Sequence, residues 1–175
     1  QALKRYDAEC IALLGAATGN GLAHVSNITT THLTAIDINP EYLKILDRRF
    51  KGKIDGLSLI EADLETCVLN ENYYSLVFAG LVFEYLDPQN LIEKISRWLR
   101  NDGTLVVILQ LPGEKNQTVS TSPYKSLQLL KPVMTLVRPD LFNTGTRMHG
   151  LERVSEDTMM LASGKSFYTT AFRKI

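Results

Sequence analysis

The chain has 175 residues, with 19 Lys and Arg balanced by 19 Asp and Glu, and 45% of its side chains are hydrophobic. A chain of that length buries roughly 70% of the surface its unfolded form exposes, so residues 1–175 are expected to fold as a single domain without a disulfide or structural metal. Zero net charge argues against a nucleic-acid surface, and the longest apolar runs, Ile11 to Leu14 and Leu105 to Leu109, fall far short of the roughly 20 residues that span a bilayer.

The first strand is expected at Cys10 to Leu14, a continuous apolar run that suits a strand covered on both faces and ends in Gly15. Leu33 to Ile38 reads as the second. Asn39 then offers a helix cap and Pro40 a first-turn proline, and Leu43, Leu46 and Phe50 recur at helical spacing. Leu57 to Glu61 and Tyr74 to Ala79 are the third and fourth strands. Asp87-Pro88 repeats the cap signal, and Leu91, Ile92, Ile95, Trp98 and Leu99 make one apolar stripe that stops at Asn101-Asp102-Gly103. Thr104 to Leu109 is the fifth strand.

After Pro112 the periodicity breaks. Ser122-Pro123 opens a helical stretch through Leu127 and Leu130 that Pro132 and Pro139 interrupt, so residues 112–149 read as a cap or insertion. Residues 51 to 111 carry five basic and nine acidic side chains, and residues 112 to 149 carry five basic and two acidic, so the cap is mildly basic. Lys115, Lys125, Lys131 and Arg138 would favour an anionic ligand there. Glu152 to Leu161 and Ser166 to Arg173, joined by Ala162-Ser163-Gly164-Lys165, read as a β-hairpin. The order implies an α/β fold: a three-layer open sheet, mostly parallel, with an antiparallel C-terminal strand. Cys10 and Cys67 have no metal-site neighbourhood and read as free thiols of a cytoplasmic protein, and His24, His32 and His149 show no metal-ligand spacing.

In such a sheet ligands bind outside the carboxyl ends of the strands. Those ends are Gly15-Ala16-Ala17-Thr18-Gly19-Asn20-Gly21, Asp37-Ile38, Ala62-Asp63-Leu64 and Ala79-Gly80-Leu81. As an ordered set, together with the terminal hairpin, they resemble the class I S-adenosylmethionine-dependent methyltransferases, a Rossmann-like seven-stranded family, from Cys10 to Arg173. The resemblance implies S-adenosyl-L-methionine as cofactor and methyl transfer to a small-molecule acceptor. It places the loop residues Gly15, Ala16, Ala17 and Gly19 by the methionyl tail, with N–H groups of a following helix N-terminus facing its carboxylate. Asp37 would accept the ribose hydroxyls, Asp63 the adenine amino group, Leu64 would offer its backbone N–H, Ile38 would pack on the ring, and Ala79 would border the site.

Two positions depart from the family pattern: Leu13 stands where many members have an acidic residue, and Ala17 where the second glycine usually falls, at a cost if φ there is positive. Methyl transfer is an in-line displacement helped mainly by positioning, so no obligatory catalytic side chain is required. Glu84 and Tyr85, followed by Asp87, are the candidates for proton handling or acceptor contact. The Asp/Asn-Pro-Pro-Tyr/Phe motif of planar-amine methylation is absent, since that stretch reads Ala79-Gly80-Leu81-Val82. A relative that keeps the fold and binds cofactor weakly or not at all is one alternative. An NAD(P)-dependent short-chain dehydrogenase is another, suggested by Gly-x-x-x-Gly-x-Gly in the first loop and opposed by the lack of a Tyr-x-x-x-Lys pair.

Overall fold

The computed structural model describes residues 5–6, 8–25, 29–112, 134–162 and 164–175. Its elements are β1 (Cys10–Leu14), β2 (His32–Asp37), α1 (Pro40–Phe50), β3 (Leu57–Glu61), β4 (Tyr74–Gly80), α2 (Pro88–Trp98), β5 (Leu99–Gln110), α3 (Pro139–Met148), β6 (Leu151–Met160) and β7 (Ser166–Lys174). They form one seven-stranded sheet in the order β3-β2-β1-β4-β5-β7-β6. The first five strands are parallel, and β7 runs antiparallel to both β5 and β6.

The alternation of side chains along β1 divides the interior in two. Ala12 and Leu14 point to the face covered by α2 and α3, whose Leu91, Ile92, Ile95, Trp98 and Phe142 complete that core. Ile11 and Leu13 point to the other face, where Leu46 and Phe50 of α1 cover them. Both helix starts behave as the sequence implies. The Asn39 side chain accepts the Glu41 N–H at 2.9 Å, the Asp87 side chain accepts the Gln89 N–H at 2.9 Å, and a proline occupies each first turn.

Three features differ from the expectations. The strand β5 begins at Leu99, directly after α2, and the Asn101-Asp102-Gly103 turn is an excursion inside it: Tyr74 pairs with Leu99, whereas Leu76 pairs with Thr104. The end of the expected cap is the helix α3, because Pro139 starts a helix instead of breaking one. Phe142 on α3 is buried against Phe83, with ring centroids 4.7 Å apart, and Phe172, at 5.9 Å, so this part of the cap belongs to the core. Residues 122–130, read as helical, lie outside the described residues. Finally, no helix follows the first loop among the described residues; only a three-residue 3-10 turn, Leu22–His24, stands there.

Candidate functional site

The strands β2 and β3 lie to one side of β1 and β4 and β5 to the other, so the sheet order reverses between β1 and β4. Strands diverge at such a point and leave a crevice at their carboxyl ends. A cavity of about 410 Å³ occupies it, inside the range of roughly 300–1,000 Å³ common for small-molecule sites. Gly15 enters from β1, Asp37 and Ile38 from β2, Ala62, Asp63, Leu64 and Glu65 from β3, and Gly80, Leu81, Val82, Tyr85 and Leu86 from β4.

Asp37 is the best-anchored polar group in this wall. Its Oδ2 accepts the Ala17 N–H at 2.7 Å and its Oδ1 accepts the Asn39 N–H at 2.9 Å, so two loops fix the carboxylate at the end of β2. Asp63 likewise accepts the Glu65 N–H at 2.9 Å. Lys94 of α2 donates to the carbonyls of Leu64 and Glu65, which secures the turn after β3 from the neighbouring helix.

The first loop is held by sterics as much as by hydrogen bonds. Gly15 has φ +62°, and a Cβ there would sit 2.6 Å from Val82 Cγ2, so the exits of β1 and β4 are packed directly together. Ala17 has φ +45°, in the left-handed region that costs an L-residue about 1–2 kcal/mol. Arg49 of α1 donates to the carbonyl and hydroxyl oxygens of Thr18, tying the rest of the loop down.

The residues singled out in the sequence fall into two groups. Gly15, Asp37, Ile38, Asp63 and Leu64 are brought together in the cavity wall. Ala16 and Ala79 are buried in strand-end packing, Gly19 lies against Leu46 and Phe50, and Ala17 offers its N–H to Asp37; none of these four lines the cavity. Leu13 is core, and does not obstruct the crevice. The expected helix N-terminus is replaced by the turn, so any anion held by this loop would meet loop N–H groups. Arg138 is exposed and paired with Asp140 at 2.6 Å, and Lys115, Lys125 and Lys131 lie outside the described residues.

Glu84 and Tyr85, adjacent in sequence, part company. Tyr85 lines the cavity and is 39% exposed; burial, and then the neighbouring Glu84, push its phenol above the ordinary value. Glu84 turns inward, is 1% exposed, and does not line the cavity. Its Oε1 accepts the Gln110 N–H at 2.7 Å and its backbone oxygen accepts the Thr135 N–H at 2.8 Å, while Oε2 has no partner among the described residues. Burial raises its carboxyl pKa against the smaller opposing effect of the backbone N–H. Asp87 is spent as the cap of α2.

Leu81 was noted only as part of the Ala79-Gly80-Leu81 strand end, with no role assigned, and Val82 and Leu86 were not singled out by the sequence. The signal that could have found them is position, since all follow the carboxyl end of β4 as Ile38 follows β2.

Residues 13–107 match a family model described as a methyltransferase domain. No curated protein matches the sequence. Among solved structures, the chain is similar to a Listeria monocytogenes protein described as an S-adenosylmethionine-dependent methyltransferase, with 14% identity, TM-score 0.79, and 99% of this chain and 96% of that one covered. It is similar to the N-methyltransferase NodS of Bradyrhizobium japonicum in complex with S-adenosyl-L-homocysteine, at 15% identity, TM-score 0.74, and 98% and 81% coverage. The [4+2]-cyclase SpnF is also similar, at 14% identity, TM-score 0.75, and 99% and 78% coverage. At these identities the solved structures establish the shared fold, and the cyclase shows that the fold carries more than one reaction.

Proposed function

The chain belongs to the methyltransferase domain family, and from that premise we propose that it binds S-adenosyl-L-methionine in the crevice between β1 and β4 and transfers the methyl group to a small-molecule acceptor. The observation that carries this reading is the position of Asp37: a fixed carboxylate at the end of β2, on the wall of a cavity whose neighbouring wall is the close-packed Gly15 turn.

The residues present suit the nucleoside part of this cofactor. Asp37 lies at the carboxyl end of β2, where it would accept ribose hydroxyls. Asp63 would accept an adenine amino group, and Ile38 and Leu64 would flank the ring. Gly15, with φ +62°, leaves the backbone bare at the crevice. When bound, the cofactor supplies a methyl group on a positively charged sulfur, an electrophile that needs only an aligned nucleophile. The protein's share is therefore orientation and exclusion of water by the apolar lining, with the Tyr85 hydroxyl available to hold or pass a proton at the β4 end. Glu84 takes no direct part, being turned toward Gln110. Residues 1–175 act as one domain in this proposal.

Calorimetric titration with S-adenosyl-L-methionine and, separately, with NADH tests it. Binding of the first alone is the expected result. Binding of NADH alone would replace methyl transfer with hydride transfer, and binding of neither would leave a domain that has kept the fold and lost the cofactor.

A further inference from the structure

We propose that Leu81 is a specificity-determining residue and that the methyl acceptor is a neutral molecule presenting an apolar or aromatic face to it, a claim that rests on reading the crevice as a methyltransferase site. The polarity of the cavity is divided by strand. Its carboxylates, Asp37, Asp63 and Glu65, all enter from β2 and β3, the end assigned to the nucleoside. The exit of β4 supplies Leu81, Val82, Tyr85 and Leu86, where the Tyr85 hydroxyl is the one polar side-chain group among the described residues. The carboxylate nearest in sequence, Glu84, is withdrawn from this wall by its bond to Gln110. A charged acceptor lying there would lose hydration and meet no opposite charge from the described residues of this wall.

The backbone at Leu81 is the second, independent observation. Its φ is +57°, a region in which glycine or asparagine would be at ease and a bulky residue is strained. Burial of the Leu81 side chain does not offset the strain, because it is 39% exposed and lies on the cavity wall instead of in the core. The conformation is imposed from both sides. The Leu81 N–H donates to the Ile108 carbonyl at 2.9 Å, and the next residue, Val82, is wedged under Gly15. Strained residues of this kind concentrate where a side chain must face a ligand.

The test uses S-adenosyl-L-homocysteine to fill the cofactor half, followed by titration of the saturated protein with indole, a neutral aromatic probe, and with phosphoethanolamine, a charged one. Binding is read by saturation-transfer NMR and calorimetry. The wild type should bind indole and bind phosphoethanolamine at least tenfold more weakly. The Leu81→Asn variant, whose side chain tolerates the left-handed backbone, should melt no lower than wild type and bind indole at least fivefold more weakly. Equal indole binding by wild type and variant, or phosphoethanolamine binding as tight as indole, would overturn the proposal. A protein that binds S-adenosyl-L-homocysteine but not indole overturns the acceptor class alone, whereas one that does not bind S-adenosyl-L-homocysteine overturns the cofactor reading as well.

Discussion

Replacing Asp37 with Asn separates what the carboxylate does for the fold from what it does for the cofactor. In the free protein its two oxygens accept the N–H groups of Ala17 and Asn39 at 2.7 and 2.9 Å. An asparagine of the same size can accept only one of them. The lost bond is charge-assisted, worth about 1.5–3 kcal/mol, in a group only 8% exposed. For a domain of this size each kcal/mol moves the midpoint by about 2–4 °C, so a fall of about 3–12 °C is expected without cofactor present. If the remaining lone pairs grip the ribose, the same change weakens S-adenosyl-L-homocysteine binding by about 2 kcal/mol or more, roughly thirtyfold. Scanning calorimetry measures the first number and titration calorimetry the second. Asn39→Ala is the control: loss of the α1 cap should cost about 1 kcal/mol and leave the ligand affinity within twofold. An Asp37→Asn variant with wild-type affinity would refute the assignment even if its midpoint dropped, and one with an unchanged midpoint would refute the anchoring role.

Other outcomes follow from single contacts. Glu84→Gln should keep the acceptor for the Gln110 N–H and remove a buried acid whose folded pKa is raised. Because that acid ionises less readily in the folded chain, wild type should lose stability relative to the variant as pH rises above the ordinary value of 4.5, and urea denaturation at pH 5 and pH 8 with equal differences at both would contradict this. Gly15→Ala combines a left-handed φ with a Cβ 2.6 Å from Val82, and should cost about 2–5 kcal/mol by thermal melting and abolish cofactor binding. Gly56→Ala puts a Cβ 2.0 Å from the backbone oxygen of Thr31, away from the crevice, and should prevent folding outright; a folded variant would show that this turn can move. Ala17→Gly relieves a left-handed alanine against the greater freedom of glycine when unfolded, for a net change between about 0 and +1 kcal/mol; a clear loss of stability would mean that φ here is not the costly feature.

The strands were legible because most of the parallel strands are covered on both faces, which turns them into unbroken apolar runs. All five residues of β1 are buried, and its bounds match those read from composition alone. The helices α1 and α2 were legible from Asn39-Pro40 and Asp87-Pro88, signals contained within a few residues. What failed depended on partners distant in the chain. Asn101-Asp102-Gly103 carries every mark of an ending, yet β4 pairs with the chain on both sides of it, and only the register shows that the strand continues. Pro139 breaks one helix and begins another with equal ease, and the choice is made by Phe142 finding Phe83 and Phe172. Glu84 reads as a candidate for proton handling until Gln110, 26 residues on, claims it. In the site, the residue types at the ends of β2 and β3 were visible because they are polar against an apolar background. The β4 wall was legible only in part, as the Ala79-Gly80-Leu81 strand end and Tyr85, because Leu81, Val82 and Leu86 are apolar residues that look like core in any sequence.

Among the described residues no helix follows β1, which changes what the first loop needs. With no helix N-terminus behind it, the loop is fastened to Asp37 through the Ala17 N–H, to Ile36 through the Ala16 N–H at 2.9 Å, and to Arg49 further along. In the proposed reading, where it also accepts the ribose hydroxyls, Asp37 has two tasks that would compete if they shared lone pairs. They do not, by lone-pair count: an ionised carboxylate offers about four acceptor directions, one on each oxygen is used by a backbone N–H, and one on each remains. Two free directions on one rigid carboxylate suit two adjacent hydroxyls. The bonds to Ala17 and Asn39 stop the group from rotating away, so the orientation needed by a diol is set before it arrives, and the ordering cost falls on folding instead of binding. The left-handed backbone of Ala17 belongs to the same arrangement, since the residue that bears that strain is the one whose N–H holds the acid in place.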